Sequence, residues 1–292
     1  MATGQATNRT NVDLPVELSR EILQKARESS AIMQLAREIA LPGRGVAINV
    51  ITSDPEASWV GETSAKPVAN PGLATKVMRA YKLAVIVPFS NEFRRDLSAL
   101  YSALVERLPG ALAKKFDSTV FGNGDKPGDD FDNFAAITAQ SLASDVYQGL
   151  VAADTDVALH GGIINGYAIS PQMRGILLGA TDTTKRPLFN NNTGDGAVPY
   201  ILGAPTRVAK GAFKSGNPSI VGVAGDWSQA MWGSVEGVKI DFSSDATLDI
   251  DAEHKINLFQ HNMFAVRAEI EVGFRADTSV FNAFTATGVP SI

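Results

Sequence analysis

The chain has 292 residues (30.9 kDa), 45% hydrophobic and 20% charged, a balance that excludes a disordered or fibrous protein and leaves apolar mass for one to three cored domains. Cysteine is absent, which removes disulfides, thiolate metal sites and cysteine nucleophiles together and suits folding in a reducing cytoplasm. With a formal net charge of −5, a sequence pI of about 5.3 and no run of Lys or Arg longer than two, the chain lacks the basic face that tight nucleic-acid binding requires, although a surface that only faces nucleic acid fits.

The opening MATGQATNRTNVD has no apolar core region and is not a signal peptide, and no later apolar run is long enough to span a bilayer. These first residues are polar and small, as expected of a mobile end. Asp13 before Pro15 is a helix-start signature, and Leu18, Ile22, Ala26, Ile32, Leu35 and Ile39 predict an amphipathic helix to about Ala40, interrupted at Ser29 and Ser30. Pro42, Gly43 and Gly45 end it. Val46 to Ile51 reads as a short buried strand. From Ala57 to Pro88, a strand-like ASWVGE, a small and proline-rich TSAKPVANPGLAT and a strongly strand-like VMRAYKLAVIVPF predict an extended hairpin that projects from its domain. A two-stranded hairpin is marginal on its own in water, so it is expected to lie on something else, such as a neighbouring subunit.

Ser90 is expected to cap a helix to about Val120, with Phe93, Leu97, Leu100, Leu104, Leu108, Leu112 and Phe116 on one stripe and Arg94, Arg95, Asp96, Glu106, Arg107, Lys114 and Lys115 opposite. Its length would be roughly 45 Å, with a kink at Pro109. Gly122 to Asn133 is a loop. Between Phe134 and Leu258 the pattern is α+β: helices at Ala143–Ala153 and PQMRGILLGA, then strand candidates GYAIS, YILG, TRVA, SIVGVAG, AMWGSV and VKIDF, the strands clustering late. The closing HNMFAVRAEIEVGFRAD alternates, Phe264, Val266, Ala268, Ile270, Val272 and Phe274 against Arg267, Glu269, Glu271 and Arg275, and predicts one long half-exposed strand.

Four places invite a test for chemistry. The Gly122–Gly128 loop lacks the Gly-Lys-Ser/Thr ending of a phosphate loop, and Asp125, Asp129, Asp130 and Asp132 would repel phosphate. Asp249, Asp251, Glu253 and His254 alternate, but a calcium loop needs glycine where His254 stands, so solvent-face carboxylates are the simpler reading. His160 before Gly161 and Gly162 has no G-x-S-x-G partner anywhere in the chain. Trp59, Trp227 and Trp232 fit contact or core anchors better than stacking platforms in a chain without a basic face. No enzyme, metal or cofactor is expected.

The order of features carries more than any one of them. Trp59, Val60 and Glu62 form a W-V-x-E segment; Lys82, Leu83, Ser90, Glu92 and Asp96 follow at set spacing, then Ala113, Asp117, Gly122 and Gly124. Further on stand Lys185-Arg186-Pro187-Leu188, Leu202, Gly203 and Pro205, Gly225-Asp226-Trp227, and finally Arg267, Arg275, Asp277, Val280, Ala283 and Phe284. This series resembles the major capsid proteins of tailed bacteriophages, the Hong Kong 97 fold family, although the two closing arginines stand eight apart where the family has them closer. The resemblance implies an α+β fold with an N-arm (1–45), an E-loop hairpin (46–88), a peripheral domain with a spine helix (89–140), an axial domain (141–255) and C-terminal strands returning to the peripheral domain (256–292). It implies hexamers and pentamers of a closed shell around double-stranded DNA held without specific binding. The implied partners are other copies, a portal and separate scaffolding or decoration proteins. Because the chain starts shortly before the N-arm, no built-in scaffold is expected. Trp59, Glu62, Lys66, Lys76, Arg94, Arg95, Trp227 and Trp232 are the expected assembly residues. Some relatives cross-link a hairpin lysine to asparagine; Lys66 and Lys76 lie in the hairpin, but no motif fixes a catalytic glutamate, and cross-linking is not expected. Rival readings are an encapsulin-like nanocompartment shell, an oligomeric tail or adhesion module, and an unrecognised enzyme.

Overall fold

The structure is a computed structural model that describes residues 16–53, 59–60, 62, 66, 68, 72–92, 97–182, 184–189, 198–250 and 254–289. The expected single N-terminal helix is two helices and a strand: α1 (Val16–Ser29), α2 (Ala31–Leu35) and β1 (Arg37–Ala40). Ser30 makes the break, its hydroxyl accepting from the Met33 amide at 3.1 Å and so capping α2. Beyond Leu35 pairing overrides helical periodicity, because Arg37–Ala40 run parallel to Met231–Ser234.

The hairpin exists, but its strands are not the expected ones. β2 (Val46–Ser53) pairs with β3 (Gly72–Met78), from Val46 opposite Met78 to Ser53 opposite Gly72. Trp59, Val60 and Glu62 are outside any strand. The apolar run after Ala80 forms β4 (Tyr81–Ser90), which turns away from the hairpin into a sheet. A ten-residue strand with one apolar face is better buried there than in an isolated ribbon.

The spine helix is α3 (Leu97–Val120), about 36 Å long at 1.5 Å per residue, with Pro109 inside it. Ser90 ends β4 and accepts from the Glu92 amide at 3.4 Å, and Phe93, with the other residues up to 96 that precede α3, lies outside the described residues. Leu108, Leu112 and Phe116 are buried as the stripe required. The helix stops at Gly122, whose φ of +81° favours glycine and whose added Cβ would lie 2.7 Å from Ala135 Cα.

The remaining elements are β5 (Thr138–Ser141), α4 (Val146–Leu159), β6 (Gly166–Ile169), α5 (Pro171–Gly179), β7 (Tyr200–Ile201), β8 (Ala204–Val208), β9 (Ser219–Gly225), β10 (Ala230–Ser234), β11 (Lys239–Ser243), β12 (Thr247–Asp249), β13 (Lys255–Asn257), β14 (Met263–Ala276) and β15 (Phe281–Ala286). Asp145 caps α4, and Ser170 caps α5 ahead of Pro171. Two sheets form the body. One is five-stranded, ordered β1-β10-β14-β11 with β4 also paired to β14; the other is six-stranded, ordered β5-β15-β9-β6-β8-β7. The sheets cross the segment boundaries expected from sequence. β10 and β11 belong with β4 and β14, while β15 joins the sheet of β6 and β9. Long-range pairing decides sheet membership, and segment composition does not record it.

Two connections pass side by side between the sheets. Asp226 and Asp277 each bend the chain by accepting from the backbone of Ser228 and Ser279, at 3.0 and 3.1 Å. The links bond to each other, Asp226 N to Val280 O at 3.1 Å and Asp277 N to Gln229 O at 3.2 Å. Around this joint Phe116, Phe131, Phe134, Trp227, Phe274 and Phe281 pack edge-to-face or tilted, with centroids 4.7–6.4 Å apart. The apolar face of β14 is buried along its whole length, but its other face is only partly wet, and Arg275 is buried.

Candidate assembly surfaces

The hairpin of β2 and β3 is tied to the body by a charged knot at its base. Arg275, near the end of β14, donates from Nε to Val77 O (2.8 Å), from Nη1 to Asp129 O (3.2 Å) and Asp132 Oδ1 (2.9 Å), and from Nη2 to Asp130 Oδ1 (2.9 Å). Arg79 pairs with Asp130 at 3.1 Å. Lys76 donates to Ala276 O at 3.1 Å and stands 3.8 Å from Asp132. Of the acids that looked from sequence like a phosphate-repelling loop, Asp130 and Asp132 accordingly face the hairpin's cations, whereas the Asp129 carboxylate is exposed 3.9 Å from Lys126. Gly128 lets this loop pass Tyr81, because a Cβ there would sit 2.3 Å from the Tyr81 hydroxyl. Gly128→Ala is expected to cost about 1–3 kcal/mol by overpacking, measured as a lowered thermal midpoint; an unchanged midpoint would contradict the contact.

The N-terminal helices are held by a buried carboxylate. Asp117 on α3 accepts from Ser30 Oγ at 2.5 Å and from the Ala31 amide at 2.9 Å, joining residues far apart in sequence. Burial pushes its carboxyl up to about 6, against the pull of those hydrogen bonds. Nearby, Arg27 pairs with Glu38 and its guanidinium lies 5.2 Å from the Trp232 ring centroid.

The sequence-predicted assembly residues separate into three groups. Trp59, Glu62 and Lys66 are exposed in the connection between the hairpin strands, Trp59 completely so (106%), and Val68 of the same connection is 85% exposed. Lys76 faces its own chain, as described above. Trp227 and Trp232 are corrected to core residues, 2% and 1% exposed: the Trp227 ring packs on Phe134 and Phe281 and its Nε1 donates to Gly166 O at 2.9 Å. A residue enclosed on all sides offers no surface to a partner. Arg94 and Arg95 lie outside the described residues.

The other chemistry candidates remain apart. Asp249 pairs with Lys255 across β12 and β13 at 3.2 Å, while Asp251 and Glu253 lie outside the described residues. Among the described residues no three His, Asp or Glu side chains cluster as metal ligands, and no helix is long and apolar enough to cross a membrane. His160 ends α4, its Nδ1 2.8 Å from Asp156 O. The sequence reading missed the Asp117 and Arg275 ties and four exposed apolar residues near the six-stranded sheet. These are Leu159 and Ile163 after α4, and Tyr200 and Leu202 at the β7–β8 turn. No local pattern announces them.

Comparison with known proteins places this geometry. The model of the phage capsid family matches residues 11–285. The "Probable major capsid protein gp17" of Mycobacterium phage D29 is 27% identical over 290 residues, covering 93% of this chain and 89% of its own; the "Major capsid protein" of Staphylococcus phage 80alpha is 27% identical over 285 residues, covering 91% and 82%. Among solved structures, a chain of Gordonia phage Cozz superposes with a TM-score of 0.69 at 21% identity over 89% of this chain and 87% of that one. A chain described as "Capsid of empty GTA particle computed with C5 symmetry" does so at 0.63 and 14% identity over 97% and 95%. With a family match over nearly its entire length and a fold shared with solved phage structures, the chain belongs to the phage capsid family.

Proposed function

We propose that the chain is a major capsid protein that assembles, through rings of five and six copies, into a closed shell enclosing a double-stranded DNA genome. The match of the capsid family model to residues 11–285 carries this reading. Its role is then structural and not catalytic, its place the virion, and its assembly site the bacterial cytoplasm, which a chain without cysteine suits. A portal and separate scaffolding or decoration proteins complete the set of partners.

In this reading the five-stranded sheet with α3 forms the peripheral domain, and the six-stranded sheet with α4 and α5 forms the axial domain. α1 and α2 are the N-arm, and the hairpin of β2 and β3 is the E-loop that reaches a neighbouring copy. Trp59, Glu62 and Lys66 remain proposed contacts there, and Arg94 and Arg95, which precede α3 in sequence, remain proposed contacts as well. A fully exposed tryptophan does little for its own fold, and burying it against a neighbour is the kind of contact that dominates interfaces. Trp59→Ser is expected to leave subunit stability within about 0.5 kcal/mol. It should raise the concentration needed for assembly about 30-fold if the contact contributes about 2 kcal/mol. Light scattering against protein concentration reads the second effect and calorimetry the first.

The decisive experiment is electron microscopy of particles from the expressed chain and from infected cells, with their contents analysed. Closed shells that hold DNA are expected. Shells filled with a cargo enzyme, or open tubes and trimers, would overturn the reading.

A further inference from the structure

We propose that the free face of α3 binds the phosphate backbone of duplex DNA without reading its sequence, through Arg107, Lys114 and Lys115 with Lys210 beside them. This rests on the shell reading and adds to it which side chains meet the enclosed genome.

The face is defined by what α3 leaves uncovered. Leu108, Leu112, Ala113 and Phe116 are buried, whereas Arg107, Gly110, Ala111, Lys114 and Lys115 are exposed on the other side of the same turns. Between Arg107 and Lys114 the exposed positions are Gly110 and Ala111, and a Cβ added at Gly110 would meet nothing within 4 Å. Long cationic side chains therefore rise from a low, open surface that a partner as broad as a duplex can approach. Lys210 joins them from another part of the chain. The short turn Lys210–Ala212 packs on α3, where a Cβ added at Gly211 would lie 2.8 Å from Ser118 N and 3.1 Å from Lys114 O, and Lys210 itself is exposed.

These cations lack partners of their own. Surface charges on a helix pair three and four residues apart, as Lys25 does with Glu21 at 3.2 Å on α1. Around Arg107 those positions hold Ala103, Leu104, Gly110 and Ala111; around Lys115 they hold Ala111, Leu112, Ser118 and Thr119. Lys114 has Asp117 three residues on, but that carboxylate is buried and taken up by Ser30 and the Ala31 amide. Among the described residues none of the four cations is in an ion pair. The nearby acids are few. Glu106 adjoins Arg107 in sequence, Asp125 lines a cavity with Lys115, and α1, which packs on α3, holds three acids against three cations.

The opposite side of the five-stranded sheet shows the contrast. α3 packs on the face that carries Phe274, and the face turned away from it carries Lys82, Lys239 and Arg267 against Asp241, Glu269 and Glu271. Lys82 pairs with Glu269 and Glu271 at 3.0 and 3.4 Å, and Arg267 pairs with Asp241. That side is neutral and internally satisfied, so it has no surplus charge to offer a polyanion. In a chain of net charge −5, the unpaired cations of α3 are the surface that lowers the repulsion of an enclosed genome.

Arg107 and Lys114 stand seven residues apart, about 10 Å along the helix and close to the ~10 Å screening length at 0.1 M salt, so the cations act as one field. Duplex DNA carries one phosphate per ~1.7 Å of its axis, and a strip of this length meets several. Each phosphate neutralised releases counterions, which gives sequence-independent binding that falls steeply with salt. Four such contacts suit a wall that DNA lies against; tight binding would need the basic run that the sequence lacks.

The test titrates free subunits of the full chain against a short fluorescent duplex of mixed sequence, read by anisotropy at several salt concentrations. Log affinity is expected to fall with log salt at a slope of about −3 to −4, roughly one unit per cation. Arg107→Gln, Lys114→Gln and Lys210→Gln together should keep the parent's melting temperature, reduce the slope by about three units and weaken binding at low salt at least about tenfold. Arg174→Gln, Arg186→Gln and Lys239→Gln, at three exposed cations elsewhere, change the net charge equally and should leave the slope as it was. Equal losses in the two triple variants, or a parent that binds a Glu-rich peptide but not the duplex, overturn the assignment of this face to DNA. Formaldehyde cross-linking of filled particles, followed by mass spectrometry, reads the assembled state, with DNA adducts expected on Lys114, Lys115 and Lys210. DNA-filled shells whose adducts avoid all three overturn this inference alone. Particles that hold no DNA overturn the shell reading and this inference with it.

Discussion

Replacing Arg275 with methionine is expected to lower the unfolding free energy of the subunit by about 3 kcal/mol, the usual range for breaking one side of a largely buried charge pair. The guanidinium is 11% exposed and makes four hydrogen bonds that no thioether can make. Its removal leaves the Val77 and Asp129 carbonyls without that donor and leaves Asp130 and Asp132 to Arg79 and Lys76 alone. Those carboxylates are 28% and 20% exposed, so water offsets part of the loss and keeps it at the lower end of the range. Lysine should not rescue it, because one ammonium on a flexible stem cannot replace a planar fork that reaches Val77, Asp130 and Asp132 together. The base of the hairpin should loosen as well, and amide exchange over β3 is expected to quicken more than exchange over β9. A loss under 1 kcal/mol by urea unfolding, or unaltered exchange in β3, would falsify the role of the knot.

The second large effect concerns Asp117 and has a defined pH dependence. Burial raises this carboxyl from 3.8 to about 6, so the folded chain holds the proton more tightly than the unfolded chain. As pH rises from about 4 to about 6 the unfolded chain ionises first, and the contribution of this group to stability falls, by on the order of 3 kcal/mol in all; above that window both states are ionised and it is level. Surface carboxylates act in the opposite sense: Asp182 and Glu269 are held low, by backbone and side-chain hydrogen bonds and by Lys82 respectively, and their stabilisation is lost as pH falls. The contribution of Asp117 is therefore isolated as the difference between the parent and Asp117→Asn. That variant should gain on the parent by on the order of 3 kcal/mol between pH 4 and pH 7. Asp117→Ala should instead lose about 2–3 kcal/mol at pH 4, because Ser30 and the first amides of α2 are left buried without their acceptor, and by the same linkage that deficit shrinks by on the order of 3 kcal/mol toward pH 7. Urea unfolding of free subunits at both values measures this, and parallel pH profiles for parent and Asn variant would refute it.

How far the fold was legible follows from the range of each determinant. α4, α5 and the buried half of α3 could be read because their caps and apolar spacing lie within a few residues, as Asp145, Ser170 and Leu108–Phe116 show. β14 could be read because its alternation runs for over ten residues. The hairpin was foreseen as a projecting unit with the wrong strands. β4 is the more apolar neighbour of the loop, and only its pairing with β14 reveals that it belongs to the body. The N-terminal helix was drawn too long because residues 37–40 satisfy helical spacing as well as strand pairing, and β10 decides between them.

For the candidate surfaces, the sequence alone determined a capsid-type order of elements, an acidic chain without cysteine, and an arm lacking a core of its own. Each of these is local in composition or order. The tertiary structure decided that Trp227 and Trp232 face inward, and that Asp117 and Arg275 fasten the N-terminal helices and the hairpin to the body. Those facts depend on which distant segments meet. Burial, hydrogen-bond satisfaction and charge separation are properties of a folded arrangement, and a reading confined to neighbours in sequence does not contain them.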